Sequence, residues 1–361
     1  MPLERIPIHR PLLPRSDEFA KYLMRIEQSR VYSNFGPLVK ELEIRVAAHL
    51  GIDSRSVVSV SNATLALEGA VETSPTQRDT SWEVPSWTFT ASVSALLRSN
   101  RNIAFRDVNS EWIVDPSTAA IAVMHVLPFG DSFHMPIGAS QLDCLVIDAA
   151  ASFDAIKDIA LPESIPTAGV ISLHATKSLN AGEGGLFFTN DYEWASRFRA
   201  WTSFGFNDKR ESVSLGSNTK MSELTAAVAL AALDNWSRTR SMWQAQIIKA
   251  KELTSRIGMR TSPAMARLHV APYWIVEAHS SLEILTLEAL LTSEAIETRR
   301  WWSYGCHRMG AFSDIKRDSL GKTEELAVTT LGLPFSVDQD DDAWTRIENV
   351  LARFSTSSES N

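Results

Sequence analysis

Cysteine is scarce: the 361-residue chain holds two, Cys144 and Cys306, and their positions fit neither a metal-ligand spacing nor a disulfide framework. Both are expected to be reduced thiols, which points to a cytoplasmic protein. The eight histidines are scattered, with no H-E-x-x-H cluster, so no metal centre is expected. There is no apolar run of about eighteen residues, so no membrane helix is expected, and the stretch from Met1 to Arg15 lacks the apolar core of a secretory signal. Positive charge is in deficit, with 35 Lys and Arg against 43 Asp and Glu, a formal −8. Without a basic run there is no phosphate-backbone footprint, so nucleic acid is not an expected partner. Small anions stay possible, because backbone amides and a few cations can hold them. No expected strand leads into G-x-G-x-x-G, which ranks an NAD-dependent dehydrogenase last.

What is present is an ordinary core-forming composition, 44% hydrophobic, in a chain long enough for one large and one smaller domain. From Pro37, Leu38, Leu42, Val46 and Leu50 recur at helical intervals and Gly51 stops the run. Ser56–Val60 reads as a strand, followed by Asn62-Ala63-Thr64 and a helix to about Val71. Further strands are expected at Thr80–Pro85, Ile103–Phe105, Ala120–His125, Cys144–Ile147, Gly169–His174 and Gly185–Thr189. With helical stretches between several of them, this predicts an α/β domain with a mostly parallel sheet. A single long helix is expected from Ser222 to about Lys251, joining the domains. Beyond it His269–Glu277 reads as a strand and Ser281–Ala295 as a helix. The division is a large domain, 1–240, and a small α+β domain, 241–361. The polar end, Ser355 to Asn361, is expected to fray.

Ligands of open α/β sheets collect at the carboxyl ends of strands, and three such ends carry chemistry. Ser61-Asn62-Ala63-Thr64 sits at a strand-to-helix turn, where small residues and a hydroxyl suit a phosphate at the positive helix end. The same residues are also ordinary helix caps. Asp148 closes the run Leu145-Val146-Ile147 and could pair with a protonated ring nitrogen, though Asp is also a common turn residue. Lys177 lies just past a strand in Ser172-Leu173-His174-Ala175-Thr176-Lys177-Ser178, ahead of Gly182-Glu183-Gly184-Gly185. An amine there, deprotonated by burial, could bond an aldehyde, and Ser172 could donate to a phosphate.

The order phosphate loop, carboxylate, lysine, with Asp148 and Lys177 29 positions apart, resembles pyridoxal-phosphate (PLP) enzymes of the aspartate-aminotransferase fold, fold type I. In particular the sequence resembles the DegT/DnrJ/StrS family of nucleotide-sugar aminotransferases. Phe35-Gly36-Pro37, the stretch from Pro85 to Ser92, Val123-Met124-His125, Glu183-Gly184-Gly185 and the stretch from Gly216 to Glu223 carry the likeness further. The resemblance implies a mostly parallel, seven-stranded-type sheet in the large domain. It implies that Lys177 carries the PLP aldehyde as a Schiff base and shuttles the proton, and that Asp148 holds the ring nitrogen. Ala63 (through its N–H), Thr64 and Ser172 would hold the phosphate, and Phe89 would stack on the ring, with Trp87, two residues earlier, as the fallback. Asn218 would cross to a partner's cofactor phosphate, making a homodimer with shared sites.

Two positions depart from the family. Ala151 stands where Gln or His usually follows Asp148, and Arg299-Arg300-Trp301-Trp302 replaces a segment that often bears a substrate-facing histidine. Trp301 is expected near the sugar or nucleotide, and Arg299 or Arg300 is a candidate for its phosphate, the alternative being a charged rim beside a packed indole. His125 and His174 are read as structural, and Glu183 as a support of the glycine turn. The implied reaction moves the amino group of L-glutamate to a keto-deoxysugar nucleotide, for surface polysaccharide such as lipopolysaccharide O-antigen or for a glycosylated natural product. The rivals are a sugar dehydratase of the same fold, which carries His where Lys177 stands, and a non-catalytic sugar-sensing regulator.

Overall fold

Seven short, mostly apolar runs pair into one sheet in the computed structural model, which describes residues 4–136, 138 and 141–358. They are β1 (Val57–Val60), β2 (Ser81–Pro85), β3 (Asn102–Arg106), β4 (Ala122–Val126), β5 (Cys144–Asp148), β6 (Thr167–Ser172) and β7 (Gly185–Thr189). Their order is β1-β7-β6-β5-β4-β2-β3, and only β7 runs against its neighbours. Successive side chains point to opposite faces, so Phe188 joins Leu145, Ile147 and Ile171 on one face while Phe187 joins Val146 and Val170 on the other. Both faces are covered, which is why the strands read as continuous apolar runs rather than as alternation.

On the first face lie α1 (Ser16–Ser29), α2 (Pro37–Leu50) and, from later in the chain, α6 (Glu223–Asp234). On the second lie α3 (Ala63–Glu72), α4 (Thr90–Arg98) and α5 (Tyr192–Trp201). The buried Glu223 carboxylate accepts the N–H groups of Leu38 (2.8 Å) and Val39 (2.9 Å), closing the first turn of α2. Gly36 is required beside it, since a Cβ there would lie 2.6 Å from the carboxyl carbon.

The rest of the chain holds α7 (Trp236–Arg256), β8 (Arg260–Thr261), α8 (Pro263–Ala266), β9 (Trp274–Glu277), α9 (Ser281–Ser293), β10 (Lys316–Arg317), α10 (Gly321–Thr329), β11 (Thr330–Leu333) and α11 (Asp341–Ser358). β10 extends the large sheet beside β3, making an eighth strand. The other three form an antiparallel sheet, β11-β9-β8. Its core, including Trp243, Trp274, Leu331, Trp344 and Phe354, also receives Ile6 from near the N-terminus.

Three expectations need correction. The long helix from Ser222 is two helices broken at Asn235, whose N–H closes the end of α6 on Ala231 O at 3.2 Å. The strand expected at 269–277 begins only at Trp274, because Pro272 has no N–H for a ladder. Residues 355–358 continue α11, and 359–361 lie outside the described residues.

Candidate functional site

The ends of β1, β7 and β6 meet in register, Val60 opposite Gly185 and Gly185 opposite Ser172. Just past Val60 the chain turns into α3. Asn62 is its cap, with its side-chain oxygen accepting from Leu65 N at 2.9 Å. Helix geometry then leaves the N–H groups of Ala63 and Thr64 without acceptors inside the helix. The turn fits because Gly185 has no side chain: a Cβ there would lie 2.6 Å from the Asn62 carbonyl carbon and 2.7 Å from Ala63 N.

Asp148, at the end of β5, is only 6% exposed. Ser92 Oγ donates to its Oδ2 at 2.6 Å, and Ala150 N–H donates to its Oδ1 at 3.1 Å. Ser92 lies in turn 3.0 Å from Thr88 Oγ1. Burial pushes the carboxyl above its ordinary range, while the Ser92 and Ala150 donors and the Lys177 charge oppose the shift. No cation lies within 4 Å of this carboxylate among the described residues.

Lys177 is half-buried. Its backbone is held on both sides, by its N–H on His174 O (2.9 Å) and by Asn180 Nδ2 on its carbonyl (3.0 Å). Its Nζ donates to Tyr273 Oη at 2.8 Å. His174 contacts Thr176 Oγ1 at 2.9 Å and lies 3.7 Å from Glu183 Oε1.

One cavity of about 890 Å³ joins these strand ends, and Ala63, Thr64, Asp148, Ser172 and Lys177 all line it. Phe89 lines it too and is 62% exposed, whereas Trp87 is buried in a separate cluster and packs edge-on against Trp302 at 5.3 Å. Arg299 and Trp301 line the opposite wall, and the Arg299 guanidinium lies 4.8 Å from the Trp301 ring centre. Gly332 admits that indole, which occupies the space of its missing Cβ. Arg300 turns away to Glu288 at 2.8 Å. Beside Trp301, Trp302 stacks on Phe129 at 4.2 Å, and both residues hold left-handed backbone, φ 61° and 53°. Such strain persists only where surroundings fix it.

Asn218, like Trp87 and Arg300, does not line the cavity. It is exposed, with its Oδ1 accepting from Lys220 Nζ at 2.6 Å, although its neighbour Thr219 accepts from Ser61 N–H at 2.7 Å. His125 is buried, neither ring nitrogen makes a side-chain hydrogen bond among the described residues, and burial pushes it down to about 3.

Among the lining or supporting residues that escaped the sequence reading, three make specific contacts. Tyr273 sits 96 positions from Lys177, Ser92 56 from Asp148, and His9 reaches the cavity from the N-terminal arm. Ser92 belonged to a motif already singled out; nothing local in the sequence marks the other two. Burial pushes His9 down to about 4, so it stands neutral.

The donor set suits PLP. An uncompensated buried carboxylate, a tethered amine and free helix N–H groups beside a serine match a ring nitrogen, an aldehyde and a phosphate. Among the described residues no group of His, Cys, Asp and Glu could hold a metal, and no helix is long and apolar enough to cross a membrane.

Comparisons agree with this chemistry. Protein Rv3402c of Mycobacterium tuberculosis strain H37Rv is 27% identical over 350 residues, covering 91% of this chain and 83% of that protein. The dTDP-4-amino-4,6-dideoxy-D-glucose transaminase of Shigella dysenteriae is 28% identical over 240 residues, 63% of this chain and 64% of that enzyme. The crystal structure of DesI, solved in the presence of its TDP-sugar product, superposes with a TM-score of 0.83 at 29% identity, covering 98% and 93% of the two chains. The family profile itself matches residues 15–352, and the chain therefore belongs to the DegT/DnrJ/EryC1/StrS aminotransferase family and is a PLP-dependent aminotransferase.

Proposed function

We propose that this enzyme moves the amino group of L-glutamate onto the keto carbon of a nucleotide-linked deoxysugar, using Lys177 as the proton carrier. The observation that carries the reading is the single cavity that holds Asp148 and Lys177 together with an aromatic wall and the Arg299 cation. Arg299 has no carboxylate within 4 Å among the described residues, so it is available to a diphosphate. The indole of Trp301 offers an apolar face to a sugar or a base. Two of the relatives named above support it: one is a dTDP-4-amino-4,6-dideoxy-D-glucose transaminase, and DesI was crystallised in the presence of its TDP-sugar product.

Bound PLP supplies an aldehyde to carry nitrogen and a ring that takes up an electron pair. The chain supplies the rest. Ala63 and Thr64 N–H groups and Ser172 would hold the phosphate at the positive end of α3. Asp148 would face the ring nitrogen and favour its protonated form, oriented by Ser92 and Ala150. Phe89 would pack against the ring. Lys177, tethered beside the reacting carbon, moves the proton without recruiting a base from solution.

The same proposal includes a homodimer in which Asn218 serves the partner's phosphate site, which accounts for its exposed position beside Ser61. Mixed dimers of K177A and N218A should then recover activity that neither parent has. It also includes a cytoplasmic setting, supported by two free buried thiols, a role in surface polysaccharide or glycosylated natural products, and a division into domains 1–240 and 241–361, supported by the separate core around β9. The test is mass spectrometry of products from L-glutamate and a panel of keto-sugar nucleotides. A protein that binds PLP yet aminates none of them would refute the acceptor class.

A further inference from the structure

We propose that Tyr273 is a positioning residue for Lys177, receiving its amine whenever that amine is not bonded to the cofactor. The inference rests on the role given to Lys177 above. Among the described residues, Tyr273 Oη is the only group to which Lys177 Nζ donates, at 2.8 Å, and no carboxylate lies within 4 Å of it. The Asp148 oxygens already accept from Ser92 and Ala150.

The hydroxyl is held in place by its ring. Phe129 meets that ring edge-on at 5.5 Å, Trp301 at 5.2 Å and His9 at 5.7 Å. A lysine side chain has four rotatable carbons and loses much freedom when confined. With its backbone fixed through His174 and Asn180, one preset acceptor reduces the arc its amine can sweep. Tyr273 enters from the start of β9 in the second sheet, while Lys177 follows β6 of the first, so the contact makes the amine's position depend on both sheets. No polar side chain at position 151 offers a substitute: Ala151, which lines the same cavity, has none.

The step affected is the proton movement. With PLP bound, an unprotonated Nζ would take a proton from the carbon on one side of the transferred nitrogen and return it to the carbon on the other side; Tyr273 neither gains nor loses a proton. Its effect is on how often Nζ stands in reach.

The test is Tyr273→Phe, which removes the hydroxyl and keeps the ring packing. PLP affinity should stay within about twofold, since Tyr273 does not hold the phosphate or ring nitrogen. The kcat should fall about threefold to tenfold with KM nearly unchanged, as expected for one lost hydrogen bond between uncharged groups. A second readout needs no turnover: stopped-flow mixing of apoenzyme with PLP should show Lys177 capturing the cofactor several-fold more slowly in Y273F. Unchanged kcat and capture rate would overturn the proposal, and so would a raised KM at constant kcat, which would make Tyr273 a substrate contact. Lys177→Ala separates the two readings: if that variant keeps the visible absorbance of bound PLP, the lysine assignment itself fails.

Discussion

Replacing Asp148 with asparagine keeps the side chain's shape and removes its charge. In the free protein little should change. The oxygen of the new amide still accepts from Ala150 N–H, and its NH₂ can donate to Ser92 Oγ, whose own proton then goes to Thr88 Oγ1, 3.0 Å away. Burying an uncompensated carboxylate is itself unfavourable, as the upward shift of Asp148 shows. The thermal midpoint of the apo form should therefore hold or rise slightly. Cofactor binding should suffer instead, because a hydrogen bond between a buried charge and a ring N–H⁺ contributes about 1.5–3 kcal/mol. That corresponds to about 10- to 150-fold weaker PLP binding. Turnover should fall further, since a neutral ring is a poorer electron sink. Fluorescence titration of apoenzyme with PLP measures the first effect and single-turnover kinetics the second. If D148N binds PLP as tightly as wild type, the carboxylate does not face the ring nitrogen. If its apo form unfolds far more easily, Asp148 is a structural group.

Other perturbations probe separate parts of the molecule. Gly185→Ala sets a Cβ against the Asn62–Ala63 backbone; we expect about 1–3 kcal/mol lower stability and at least tenfold weaker PLP binding, and unaltered affinity would disconnect that turn from the phosphate. Glu223→Ala leaves the N–H groups of Leu38 and Val39 without an acceptor. Urea denaturation should show a loss of about 2–5 kcal/mol, and a loss under about 1 kcal/mol would mean that solvent reaches them. His125, pushed down to about 3 by burial, is neutral when folded but takes a proton near pH ~6.5 when unfolded. Its contribution is thus complete above pH ~6.5 and declines as the pH falls toward 3, by about 2 kcal/mol at pH 5. His125→Leu should lose correspondingly less stability between pH 7 and 5, and parallel curves for the two proteins would refute the buried neutral ring.

Much of the large sheet could be read from its apolar runs because both faces of every strand are covered, so β1 to β7 stand out against polar turns. α2 is legible from end to end, with apolar spacing between Gly36 and Gly51. The break at Asn235 is less so: Asp234 and Asn235 interrupt the Ala/Leu run, but a second helical stretch starts at once at Trp236, so the two read as one. α11 does display a helical stripe, Trp344, Ile347, Val350, Leu351 and Phe354, which ordered even the serines near its end. For the site, strand ends made the positions of Asp148, Ser172 and Lys177 legible. Tyr273 and His9 were not, because their places in the cavity arise from packing between distant segments: Tyr273 among Phe129, Trp301 and His9, and His9 beside Phe335 O at 3.3 Å.

The alignment of Val60, Gly185 and Ser172 across three strands has an evolutionary corollary. Insertions among the surface loops leave that row intact, but one extra residue within β7 would bring Leu186 to the place of Gly185 and exchange the faces of Phe187 and Phe188. A branched side chain would then press on the turn after β1 while two rings left their own cores. Lineages of this protein should therefore vary freely in loop length and hardly at all in the length of this one strand.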